Sequence, residues 1–363
     1  MTNTPVTSRL APSFLPTTAV LEMTYRCNHA CLFCSCPWYA PESRFDVRPE
    51  MSVAEWQALI ARLCEMGVNN FAFTGGEPLL KDRLDEIIEF AAARETEFIE
   101  TKDGALVSRR GPPKLYLLSN GKALHDGVVA LCKKHAINLS ISLPGLTTFS
   151  EHTAGGDPQN VLHWFKKAHD SGVTTTVGVT VTRRNLHELY ETIAEALLAG
   201  ADTLLMNRFL PGGRGLKHAA DLSISIPQIK EMLDTAEQIL ETANRYGSVG
   251  TELPKCIVDE TRYKRLSVGT RCSAALSFFV VDPSGYVRVC NHSTVRLQHV
   301  RELDRVKDDP YWRRFTQKDY LPQQCSGCRA IAGCDGGCRE AAHIVGGALD
   351  SPDPVLPPAW PKL

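Results

Sequence analysis

The chain has 363 residues, 43% of them apolar and 22% charged, with a formal net charge of −1. That length suffices for one large domain plus a smaller one with ample core, and the near-neutral balance gives no bulk attraction to nucleic acid or to a membrane surface. No apolar run approaches the ~20 residues of a spanning helix. Residues 1–16, rich in Thr, Pro and Ser, lack the apolar centre of a signal peptide and read as a flexible tail. The chain is therefore expected to be cytoplasmic. Thirteen cysteines in a reducing compartment read as metal ligands rather than disulfides. Cys64 and Cys132 are exceptions, because they fall inside helical patterns where a buried inert thiol is the default.

From residue 17 to 215, short β-branched or apolar runs alternate with longer amphipathic ones. Strands are predicted at 19–25, 70–73, 115–119, 137–143, 173–181 and 203–209, and helices at 52–66, 81–93, 122–135, 158–171 and 185–199. Ser52, with Glu55 three residues on, reads as the capping box of the first helix. Strands alternating with helices imply a parallel sheet with right-handed crossovers. Six such units fit an open (β/α)6 partial TIM barrel. Residues 94–114 interrupt the pattern with a hairpin, 97–101 and 105–109, turning at Lys102-Asp103-Gly104. It is either a solvated decoration or an edge strand able to capture an extended peptide. Residues 216–252 bridge onward through a helix from Ile226 to Tyr246, with Pro227 in its first turn. Residues 253–363 read as a smaller cysteine-rich α+β domain, with a hairpin at 278–281 and 286–289 and a helix at 308–318.

The chemistry concentrates in thiols. Cys27, Cys31 and Cys34 form a C-x3-C-x2-C run directly after the first predicted strand. Three thiolates so close select something soft and positive: a lone iron, a zinc ion or an iron–sulfur cluster. Zinc would need a fourth ligand, for which His29 and Cys36 are at hand. A four-iron cluster on three cysteines would instead keep one iron open to a small molecule. Thr74-Gly75-Gly76-Glu77-Pro78 follows the second strand. Both motifs thus stand at the carboxyl ends of strands, where parallel α/β folds place their ligands, and glycines admit close backbone approach. Downstream come Cys272-x12-Gly285-x4-Cys290 and Cys325-x2-Cys328-x5-Cys334-x3-Cys338. A zinc knuckle would use four of these and leave the hairpin pair idle.

With Phe33 as the aromatic residue before the third cysteine and Gly75-Gly76-Glu77-Pro78 further on, the chain resembles the radical S-adenosylmethionine (radical SAM) superfamily. The resemblance implies that Cys27, Cys31 and Cys34 hold a four-iron four-sulfur cluster. The methionyl amino and carboxylate groups of S-adenosylmethionine would chelate the open iron, and reductive cleavage would give a 5'-deoxyadenosyl radical that abstracts a hydrogen atom. It further implies cofactor contacts from Phe33, the Gly75, Gly76, Glu77, Pro78 loop, Asn120 and Ser142, with Asn185 and Met206 as further candidates near strand ends. The later cysteines resemble the SPASM/twitch-like extension of these enzymes, which carries auxiliary iron–sulfur clusters. By that resemblance Cys272, Cys290 and Cys338 belong to the first auxiliary cluster, with Cys256 as the available fourth thiol, and Cys325, Cys328 and Cys334 to the second. Val355 stands where the family's last cysteine is expected, so one or two auxiliary clusters are implied.

Most enzymes of this architecture modify peptides. The favoured expectation is therefore a peptide or protein substrate undergoing oxidation, crosslinking or epimerisation, with His292 as candidate base and Cys36 as candidate hydrogen donor or substrate-side thiol. The resemblance also implies a low-potential electron donor such as flavodoxin or ferredoxin. With only residues 1–16 ahead of the barrel, leader recognition is expected to need another surface or a separate leader-binding protein. Two other readings stand beside this one: small-molecule chemistry such as tetrapyrrole remodelling, suggested by Phe209 to Gly215 and Cys338 to Ala342, and a zinc-bound structural protein.

Overall fold

The computed structural model describes residues 13–41, 45–102 and 104–357. Twelve strands form, in chain order β1 Thr18–Glu22, β2 Asn70–Thr74, β3 Thr96–Lys102, β4 Ala105–Gly111, β5 Lys114–Ser119, β6 Asn138–Ser142, β7 Thr175–Val181, β8 Thr203–Arg208, β9 Tyr246–Val249, β10 Leu266–Val268, β11 Phe278–Val281 and β12 Val287–Arg288. The α-helices are α1 Val53–Glu65, α2 Leu84–Ala92, α3 Asp126–Lys134, α4 Phe149–Thr153, α5 Pro158–Asp170, α6 Leu189–Leu198, α7 Ala219–Leu222, α8 Ile226–Thr242, α9 Pro310–Thr316 and α10 Arg339–Gly346. Among the described residues none is long and apolar enough to cross a membrane.

Local chemistry accounts for the helix starts. The Ser52 hydroxyl accepts from the Glu55 N–H at 3.3 Å while the Glu55 carboxylate accepts from the Ser52 N–H at 2.9 Å, so two otherwise orphaned donors are met at the head of α1. α5 begins with Asp157 accepting the Gln159 N–H and Pro158 in the first turn.

Ten strands make one sheet in the order β10-β9-β8-β7-β6-β5-β2-β1-β11-β12, parallel throughout except for the β11–β12 pair. Alternation decides its two faces. Leu21, Phe73, Leu117, Ile141 and Val179 point outward into the core shared with Trp56, Ile60, Phe165 and Ile193 of the helices. The opposite face lines an open lumen, whose lower end is a cavity of about 640 Å3 edged by Asn70, Tyr116, Asn138, Ser140, Thr176 and Tyr246.

Three expectations need correction. The six expected strands form the partial barrel, but the sheet they belong to continues past residue 215. β9 and β10 extend one edge, and the C-terminal hairpin joins the other, with Thr18 to Leu21 of β1 pairing in parallel with Phe278 to Val281 of β11. A bare β1 edge would expose a row of unpaired backbone groups, and β11 covers it. The bridging helix ends at Thr242, where the chain turns into β9. Finally, residues 1–12 of the expected tail lie outside the described residues, but Leu15 is buried and Phe14 packs edge-on against Trp312 with ring centroids 6.5 Å apart, so the end of that stretch belongs to the core. The hairpin of β3 and β4 forms its own two-stranded sheet; Asp103, at its turn, lies outside the described residues.

Candidate functional site

β1 delivers the cysteine loop to the upper mouth of the lumen, and three neighbouring loops brace it there. On the β2 side the ladder continues past the strands. Met23 N–H donates to Thr74 O, Gly76 N–H to Thr24 O and Glu77 N–H to Arg26 O, each at 2.8 Å. Glycine is obligatory at this crossing, since a Cβ on Gly76 would lie 2.2 Å from Arg26 O and one on Gly75 2.7 Å from Thr24 O. The two glycines thus first serve the approach of the motif to the cysteine loop.

Glu77 is fully buried and spends its carboxylate on the protein. It accepts from Ser119 Oγ at 2.9 Å, Asn120 N–H at 2.8 Å and Leu79 N–H at 3.3 Å, tying the β2 exit to the β5 exit. Burial outweighs those donors and pushes its carboxyl up to about 7. Pro78 follows, buried at the head of a one-turn helix. Asn120, so positioned, donates from Nδ2 to Asn28 Oδ1 at 2.7 Å and reaches Cys27 Sγ at 3.7 Å.

On the far side, the loop after β8 closes over the thiols. Gly215 N–H donates to Cys34 O at 3.0 Å, Arg214 Nη1 to Cys31 O at 3.2 Å, and a Cβ on Gly213 would lie 2.5 Å from both Cys34 O and Cys36 O. The Cys36 thiol beside Cys34 is the largest influence holding Cys34 down to about 7, against burial, with Arg214 helping. Cys36 itself donates to Gly75 O at 3.8 Å and packs under Tyr25, Trp38 and Phe45. Phe33 tilts against His152 with centroids 6.0 Å apart.

The third brace comes from the C-terminal hairpin. Arg288, fully buried on β12, donates to the Glu22 carboxylate at the end of β1, to Asn291 O at 3.0 Å and to Ser293 O at 2.7 Å. It therefore fixes the turn carrying His292 against the strand that carries the cysteine loop. His292 is half-buried with Nε2 3.0 Å from Pro211 O. A proton on that nitrogen makes the bond, and burial lowers the ring's pKa, so the neutral form prevails and Nδ1 is the basic position.

The remaining cysteines of interest are those expected in two sets. Cys272, Cys290 and Cys338 act on one another electrostatically, and burial raises all three. Cys325 and Cys328 are half-buried and Cys334 is buried, on a run of turns in which Gly327 and Gly336 take positive φ. There Cys334 Sγ accepts the Gly336 N–H at 3.3 Å and the Lys255 N–H at 3.4 Å. Val355 packs half-buried against the core. The segment meant for the missing cysteine is held instead by Asp353, which pairs with Arg208 and accepts the Cys338 N–H at 2.7 Å.

Two candidate cofactor residues are not placed for that role. Met206 is fully buried on the outward face of β8, because strand parity sends Leu205 and Asn207 to the lumen in its place. Asn185 is buried, accepting the Thr182 N–H at 2.7 Å and donating to Pro144 O and Thr180 O at 2.9 Å, which commits its whole amide to loop closure. Ser142 is exposed at the lumen-facing end of β6. Sequence reasoning missed Glu22, Arg288 and Asn207, whose Oδ1 is buried without a partner at the end of β8. The available signal was a charge or an amide in an otherwise apolar strand.

The donor set fits a cluster better than an ion. Among the described residues, no three His, Cys, Asp or Glu side chains converge as one metal ion requires. The three N-terminal thiols nevertheless act on one another, as a wider multi-iron group needs. Both ring nitrogens of His29, between Cys27 and Cys31, are buried without a partner, which is what a site shaped around an additional group leaves behind.

An open parallel barrel with three thiols at its strand ends, and a cysteine-rich annex hydrogen-bonded to the same mouth, defines a thiolate-centred barrel enzyme with auxiliary thiol groups. Residues 21–196 match the family model of the radical SAM superfamily. It is 27% identical over 349 residues to the PqqA peptide cyclase of Xanthomonas campestris pv. campestris (strain B100), covering 94% of this chain and 86% of that protein. To the PqqA peptide cyclase of Rhodopseudomonas palustris it is 24% identical over 352 residues, covering 94% and 86%. Its fold is similar to Streptococcus suis SuiB bound to S-adenosylmethionine, with a TM-score of 0.69 at 14% identity over 94% of this chain and 77% of that one. It is similar also to anSMEcpe with bound AdoMet, with a TM-score of 0.67 at 16% identity over 89% of each.

Proposed function

We propose that this chain is a radical SAM enzyme that modifies a peptide or protein substrate by oxidation, crosslinking or epimerisation. The observation that carries the reading is the triad Cys27, Cys31 and Cys34 at the mouth of an open parallel barrel, inside the stretch that matches the radical SAM family model. The PqqA peptide cyclases, similar over 94% of the chain, support the peptide substrate. A four-iron cluster with S-adenosylmethionine, when bound, supplies a carbon-centred radical able to abstract hydrogen.

The chain's own residues do the rest. Asn120 reaches the Cys27 sulfur, and Glu77 holds Asn120 in place. Arg214 and Gly215 pin the loop carbonyls, and Ser142 faces the mouth. Neutral His292 is the candidate base, through Nδ1, and Cys36, next to Cys34, is the candidate hydrogen donor or substrate-side thiol. One or two auxiliary clusters are assigned, the first to Cys272, Cys290 and Cys338 and the second, short of a cysteine at Val355, to Cys325, Cys328 and Cys334. An electron donor of low potential such as flavodoxin or ferredoxin, a separate leader-binding protein and a cytoplasmic setting complete the proposal.

The test is anaerobic reconstitution of the full chain with iron and sulfide, then reduction with S-adenosylmethionine present. The expected result is 5'-deoxyadenosine, lost on replacing Cys27, Cys31 and Cys34 together by Ala, and formed faster with a peptide encoded beside the gene than with a tetrapyrrole. Stoichiometric zinc with no 5'-deoxyadenosine overturns the reading, and acceleration by the tetrapyrrole alone overturns the peptide.

A further inference from the structure

Cys272, Cys290 and Cys338 form a group one ligand short of the four a closed cluster takes. Cys256, the thiol expected to complete it, adjoins Lys255, whose N–H donates to Cys334 Sγ and whose side chain lies over Gly333, both in the other group. Four carboxylates approach the triad, and three are committed. Asp335 pairs with Lys318 while accepting the Cys272 N–H at 2.7 Å. Asp353 pairs with Arg208 while accepting the Cys338 N–H. Glu340 accepts from the Tyr311 hydroxyl at 2.9 Å and lies 3.4 Å from His343 Nδ1.

Glu252 is the fourth. Backbone N–H groups alone hold its carboxylate, that of Ser273 at 3.2 Å and its own, and among the described residues no cation stands within ion-pair distance of it. The Ser273 bond sets it one residue from Cys272. Its carbonyl takes Arg208 Nη2 at 3.2 Å, and Arg208 in turn grips Asp353 against Cys338. Both Cys272 and Cys338 lie within reach of the charge of Glu252. Burial makes its charge costly, and Arg208 acts on the carboxylate only from beyond ion-pair distance; an iron of the cluster would offset that cost.

We propose that the Glu252 carboxylate is the fourth ligand of the first auxiliary cluster, which three thiolates and one carboxylate then hold. Such a cluster differs from an all-cysteine one because a carboxylate is a harder donor than a thiolate. The inference rests on the auxiliary-cluster reading above, and the experiment separates the two.

Full-length wild type, Glu252→Gln, Glu252→Cys and Cys256→Ala are reconstituted alike and compared by iron and sulfide content and by the electron paramagnetic resonance of the reduced clusters. Wild type is expected to hold well over the ~4 irons of a single cluster; a content near four overturns the auxiliary-cluster reading and this proposal with it. Glu252→Gln should lose about four irons, or shift one auxiliary signal, while keeping the signal that depends on Cys27, Cys31 and Cys34. Glu252→Cys should restore the iron with a shifted signal, since a thiolate replaces the carboxylate. Cys256→Ala should leave that auxiliary signal unchanged. A Glu252→Gln spectrum identical to wild type, a folded Glu252→Cys protein that loses the same iron as Glu252→Gln, or loss of that signal in Cys256→Ala each overturns the assignment of Glu252.

Discussion

The cysteine loop after β1 and the thiols beyond residue 270 are held by different means. The first hangs from a continuous parallel ladder, with glycines where strands and loops cross, and adds side-chain braces from Glu77, Arg214 and the buried Arg288–Glu22 pair. The second has little regular structure around it and is gripped by buried charges: Arg208 with Asp353, Lys318 with Asp335, and Arg339, whose guanidinium donates to Gly336, Leu349 and Ser351 carbonyls. A ladder transmits small displacements directly to the reacting thiols, whereas a buried ion pair acts all or none. Damage at the first site should therefore appear mainly in chemistry, and at the second mainly in stability.

The largest effect that tests this contrast is Arg208→Ala. It leaves Asp353 buried at 0% exposure without its cation and should destabilise the fold by about 3–5 kcal/mol in urea unfolding. Replacing both partners with apolar residues of similar volume should recover most of that loss. If the single variant costs under about 1 kcal/mol, the pair is not what grips the annex.

Next comes Glu77, whose carboxyl burial raises from 4.5 to about 7. The folded chain then keeps a proton that the unfolded chain releases between about pH 4.5 and 7, so stability falls as pH rises across that window, by on the order of 2–3 kcal/mol. Glu77→Gln should flatten that slope in thermal melts at a series of pH values. An unchanged slope would place the titration elsewhere.

Smallest in stability is Gly76→Ala, about 1–3 kcal/mol from overpacking against Arg26 O. Its loss of 5'-deoxyadenosine formation should exceed ten-fold even where the variant stays folded. Activity within two-fold of wild type would show that the ladder does not transmit displacement to the thiols.

Much of this was legible from the residues. Alternating patterns placed the barrel strands, and the capping box at Ser52 marked a helix start to the residue. The spacing of Cys27, Cys31 and Cys34 marked the site, because each of these signals is local. What escaped was set by parity or distance. Met206 was chosen for lying near a strand end, but which face it takes depends on register with β7 and β9. Glu22 and Arg288, like Arg208 and Asp353, stand far apart in sequence and meet only through the tertiary fold, so no local pattern announces them. The pairing of β11 with β1 was hidden for the same reason, since a hairpin in a cysteine-rich stretch gives no sign of which edge it will seek.

That pairing has a consequence for how the chain is made. β1 leaves a ribosome well ahead of β11, which covers its edge, and of Arg288, which neutralises Glu22. A contact of such long range forms late. Until then the nascent protein presents an unpaired strand edge and a charged carboxylate beside its cysteines. Loading iron is thus best timed after β11 has paired with β1.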